Sequence, residues 1–110
     1  MKINHYQTES AKTMILKKGE FQSLMYLGLG LNGEAGEVAD KIKKTLRDHK
    51  GEMSQEMREE LVKELGDVLW YLSQIASHLD VDLSVVAEGN LEKLFSRQKR
   101  GKLVGSGDNR

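Results

Sequence analysis

Apolar residues return every three or four positions through most of this chain, the spacing that lays a stripe along one face of an α-helix. Four stretches show it. From Ile3 to Leu16 the pattern is loose (Ile3, Tyr6, Ala11, Met14, Ile15) and stops short of Gly19, a residue suited to closing a helix C-terminus. The second stretch, about Phe21 to Asp48, carries Leu24, Leu31, Ala35, Val38, Ala39, Ile42 and Leu46 as its stripe. The third opens on Ser54, an N-cap followed by an acid in the first turn, and ends near His78 or Leu79. Its stripe is Leu61, Leu65, Val68, Leu69, Leu72, Ile75 and Leu79. Ser84 then serves as N-cap for a fourth helix bearing Val85, Val86, Leu91, Leu94 and Phe95. An all-α, four-helix bundle is expected, with residues 1–98 as the helical domain and 99–110, rich in Gly and polar groups, as a flexible or irregular tail.

Two features of the long second stretch need a cause. Gly28, Gly30, Gly33 and Gly36 each cost a helix about 1 kcal/mol relative to Ala. Close approach of a neighbouring helix or ligand would explain them, and so would a break between Gly28 and Gly33. Met25, Tyr26 and Leu29 also lie away from the stripe, as does Trp70 on the third helix. Helices that are apolar on two sides are buried on two sides, which points to a homo-oligomer.

Acids border both stripes. Glu34 and Glu37 are three apart, as are Glu64 and Asp67, so each pair shares one helix face. Projected as helices, both pairs fall roughly 80–140° to the same side of the stripe centre, with Lys41 and Tyr71 beside them. Packed as an antiparallel hairpin, the two helices would bring four carboxylates together beside the buried seam. Such a group repels itself unless protonated or joined by a cation, and all-oxygen ligation suits a hard ion such as Mg²⁺. Acids at i and i+3 are also ordinary on a solvated helix; their recurrence on the same flank of consecutive helices favours the cation. A di-iron carboxylate centre needs Glu-x-x-His, and the residues three before His49 and His78 are Leu46 and Ile75.

Composition narrows the class further. In 110 residues, with 38% hydrophobic and 31% charged side chains and no Pro, a single helical domain fits. Seventeen basic and seventeen acidic residues cancel, so no broad surface for nucleic acid is expected. No apolar run spans a bilayer and no signal-like segment leads the chain, which places it in the cytoplasm with no membrane partner. The absence of Cys removes thiol chemistry and Cys-ligated zinc.

The segments GLNGEAGEVADKIKK and KELGDVLWYL resemble the ExxE and ExxD signature of MazG-like nucleoside triphosphate pyrophosphohydrolases. The resemblance extends from the first helix to NLEKLFSR. It implies Mg²⁺-dependent hydrolysis of a (deoxy)nucleoside triphosphate to the monophosphate and pyrophosphate, with Mn²⁺ as a substitute, in a homodimer or homotetramer. Matched position by position, the metal ligands are Glu34, Glu37, Glu64 and Asp67. Some members carry a further acid before the first Glu, where this chain has Gly33. Asn90, Lys93 and Arg97 are similar to the Asn, Lys and Arg of the family's last helix, associated there with substrate phosphates. Glu37 is the choice for general base. Lys41 and Tyr71 are candidate substrate contacts, with a solvated i,i+4 pair to Glu37 and edge packing as their respective alternatives. In the first helix His5, Tyr6 and Gln7 could read a nucleobase or simply pack. A dimeric helical adaptor whose acids are only solvated is the non-enzymatic alternative.

Overall fold

A computed structural model describes all residues, 1–110. Four helices follow one another, α1 (Ile3–Ala11), α2 (Phe21–His49), α3 (Gln55–His78) and α4 (Leu83–Lys99), and there are no strands. The centre of the fold is the α2–α3 hairpin. Its turn is made by Lys50 and Gly51, both at positive φ, with the Gly51 N–H reaching back to the Thr45 carbonyl at 3.1 Å. With the Lys50 N–H on the same carbonyl, that bond closes α2 through two successive residues in the left-handed region. Ser54 Oγ then accepts from the Met57 N–H at 3.2 Å and starts α3 as expected.

The face of α2 that meets α3 differs from the expected stripe. Ser23, Leu27 and Thr45 are buried, and Gly30, Glu34 and Lys41 lie in the same seam, whereas Ile42 and Leu46 are exposed. On α3, Leu65 and Leu72 are likewise exposed. The inner side of the hairpin therefore takes in Glu34, Lys41 and Glu64, while the apolar stripes are only partly covered, Leu31, Val38, Leu61 and Val68 being half-buried as well. α2 remains continuous through its glycines, so there is no break near Gly28. Close approach accounts for Gly30 alone: a Cβ there would stand 2.1 Å from Tyr71 Cε1, while Gly28, Gly33 and Gly36 face open space.

α1 packs on α3 and α4 but not on α2. The contacts of its two buried residues are polar. Gln7 Nε2 donates to Ser77 Oγ and the Val81 carbonyl, and Ser10 Oγ lies 3.2 Å from Ser73 Oγ and accepts from Gln74 Nε2 at 3.0 Å. The helix ends at Ala11 rather than Leu16. There the N–H groups of Lys12, Thr13 and Met14 bond three residues back, and Thr13 Oγ1 takes the Trp70 Nε1–H at 2.7 Å. Trp70 is half-buried and its indole N–H is used within the chain. α4 begins one residue before Ser84, at Leu83, and its N-cap Asp82 makes no side-chain bond. Gln7 Oε1 and Asn4 Oδ1 instead accept from the Leu83 and Ser84 N–H groups at 2.8 and 2.9 Å, so α1 caps α4 from outside.

Candidate metal centre

Because α2 and α3 are antiparallel, Glu34 comes opposite Glu64 and Asp67. One carboxylate oxygen from each lies within 4.8 Å of the other two. Glu34 and Glu64 are half-buried and Asp67 is exposed. Glu37, the fourth expected ligand, is outside this trio and exposed, one turn further along α2. Burial raises the Glu34 pKa, and the charges of Asp67, Glu64 and Glu37 raise it further. Glu37 is therefore close enough for its charge to be felt.

Lys41 closes one end of the trio. Its Nζ lies 3.4 Å from Glu64 Oε1 and 3.5 Å from Glu60 Oε2, so its partners are across the seam and not the expected Glu37. Burial lowers the ammonium pKa, but Glu64 and Glu60 outweigh it and hold the group above its ordinary value. Lys43 and Lys44 are tied to Asp40, whose pKa falls to about 2. Glu60 escaped the sequence reading, although its place one turn before Glu64 continues the same face.

Tyr71 closes the other end. Its ring fills the space that Gly30 leaves and meets Trp70 edge-on at 5.0 Å. Burial, then the Tyr26 hydroxyl, then the Glu34 and Asp67 charges hold its phenol above the ordinary pKa. Tyr6, raised first by burial and then by Asp67, is the second phenol that senses the acids. Gln7 is consumed by α3 and α4 and has no free end for a base. Beside the acids a groove of about 350 Å³ is lined by Glu37, Lys41, Thr45, Met53, Met57 and Glu60, among others.

The expected phosphate contacts are on α4, which packs on α1 and α3. α4 does not touch α2. Asn90 is exposed, Lys93 pairs with Asp108 at 3.2 Å, and buried Arg97 binds the 107–108 segment. α4 does meet α3, the helix that carries Glu64 and Asp67.

Three carboxylates converging from two helices, one of them held toward its neutral form by burial and then by the neighbouring acids, make an oxygen-only donor set suited to a hard divalent cation. No helix is long and apolar enough to cross a membrane. No solved structure matches the chain. Over its full length it is 48% identical to the Gene 37 protein of Mycobacterium phage L5, all of which is covered. Residues 22–101, which hold the acid trio and α4, match the MazG nucleotide pyrophosphohydrolase domain. The chain belongs to the MazG nucleotide pyrophosphohydrolase family.

Proposed function

We propose that this protein hydrolyses a nucleoside or deoxynucleoside triphosphate to the monophosphate and pyrophosphate, with Mg²⁺ held by Glu34, Glu64 and Asp67 and joined by Glu37. The convergence of the three acids in a chain of this family carries the proposal. When bound, the metal supplies positive charge to the phosphate oxygens and to the leaving pyrophosphate. Glu37, exposed and outside the tight trio, is the group left to accept the proton of the attacking water. Lys41 holds Glu64 in place and offsets charge in the seam. The Tyr71 hydroxyl, kept neutral, donates a hydrogen bond to an acid or to the sugar.

Asn90, Lys93 and Arg97 take the outer phosphates. α4 meets α3 but not α2 within the chain, and assembly of a homodimer or homotetramer brings these cations to the full set of acids. Leu29, Leu46 and Phe95, all more than half exposed, supply apolar surface for that assembly. A cytoplasmic location follows from the substrate. The experiment is a panel of nucleoside triphosphates incubated with the protein and Mg²⁺, with pyrophosphate and monophosphate as products. Glu37→Gln should lower kcat by about 10²–10⁴. Absence of pyrophosphate with every nucleotide would leave a helical adaptor as the better account.

A further inference from the structure

Residues 100–110 are folded back on α4. Gly101, Gly105 and Gly107 have φ of 67°, 116° and 87°, where glycine alone is unstrained, and they reverse the chain in succession. The Lys102 N–H donates to the Arg97 carbonyl at 2.7 Å. Arg110 fastens the loop from within, its guanidinium donating to the carbonyls of Lys102, Leu103 and Gly107 at 3.2, 3.1 and 2.7 Å. This holds Asp108 against α4. Its carboxylate lies 3.2 Å from Lys93 Nζ and 3.4 Å from Arg97 Nη2, which also donates to the Asp108 carbonyl at 2.6 Å.

The fit is incomplete on the arginine side. Arg97 is 5% exposed and its Nε is buried without a partner. The acid that pairs with it is 85% exposed. A guanidinium presents a planar fork that a phosphate engages through two oxygens at once, whereas Asp108 reaches only Nη2. A polyphosphate could take both Nε and Nη2 as well as Lys93. With Asp108 seated, Arg97 has almost no surface left to offer such a ligand.

We infer that residues 105–108 form a strap that occupies Lys93 and Arg97 in the resting protein and is displaced by the polyphosphate of the substrate. The inference rests on the assignment of Lys93 and Arg97 to substrate phosphates made above. The strap is a competitor built into the chain, and its charged contact is weak because Asp108 stands in solvent.

The test is amide hydrogen exchange over residues 102–108 of the full chain, with and without sodium tripolyphosphate, together with steady-state kinetics of Asp108→Asn. Faster exchange at 105–108 on adding tripolyphosphate is expected. Asp108→Asn should exchange faster without ligand and show KM lowered about two- to fivefold, with kcat little changed and the difference shrinking in high salt. Exchange that stays the same or slows with tripolyphosphate, or a KM that is unchanged or raised in Asp108→Asn, would overturn the strap and make 100–110 a fixed part of α4. If the protein hydrolyses no nucleotide, the proposed activity fails, while the exchange response still decides the strap.

Discussion

At Glu34 the hairpin alters a carboxyl's affinity for its proton. Its carboxyl is held above its ordinary pKa by burial and by three neighbouring acids, so the folded state keeps its proton to higher pH than the unfolded chain does. The stability this proton confers on the metal-free protein is present below the ordinary carboxylate range and lost as pH rises through the raised value. Melting curves without metal should show this loss, and Glu34→Gln should remove it and raise Tm at neutral pH. The same substitution should abolish the rise in Tm that Mg²⁺ gives the parent protein, and divalent affinity should weaken on acidification from a pH above the usual range. Gly30 is the second decisive residue. A Cβ there overlaps the Tyr71 ring, so Gly30→Ala should cost about 1–3 kcal/mol in chemical denaturation. Gly28→Ala meets open space and should gain up to about 1 kcal/mol of helix propensity.

Helices were readable from spacing, capping and turn residues, because those signals are local. Ser54 marks the start of α3, and Phe21 and His49 bound α2 within a residue of expectation. Which face of a helix turns inward is not local. The stripes of α2 and α3 were expected to meet each other, yet Glu34 and Lys41 lie in the seam and Leu46 is 71% exposed. Gly30 gave no warning of this, since a mid-helix glycine does not name its neighbour. In α1 the same limit applies: Gln7 and Ser10 are the buried residues, and nothing in their spacing distinguishes them from solvated ones. Gln7 bonds Ser77, Val81 and Leu83 at once, and its loss leaves the buried Leu83 N–H without a partner. Gln7→Leu should therefore destabilise the fold by about 1–3 kcal/mol in denaturant titrations while Mg²⁺ still raises Tm.

Taken whole, the chain is open for its length. Its radius of gyration is 16.8 Å, against about 13 Å for a compact chain of this length. Leu27, Ala76 and Leu83 are its only buried apolar residues, with Leu29 and Phe21 more than two-thirds exposed. Sedimentation should give a mass at least twice the 12.4 kDa of the chain. Leu29→Glu should shift the protein toward monomer and lower its activity with the acid trio untouched. A wild-type protein monomeric at tens of micromolar would contradict the assembly and leave the α4 cations away from the full set of acids. The acid pairs were legible because they recur on two helices. Their division into a trio with Glu37 apart was not, because it depends on how far the two helices are offset.

The most direct trial is Mg²⁺-dependent pyrophosphate release by the parent protein beside Glu34→Gln, Glu64→Gln and Asp67→Asn, each checked for folding by circular dichroism. Activity in the parent that vanishes with chelator and falls at least about 100-fold in every variant is expected if the trio holds the ion. Activity that survives in all three, or needs no divalent ion, would contradict it.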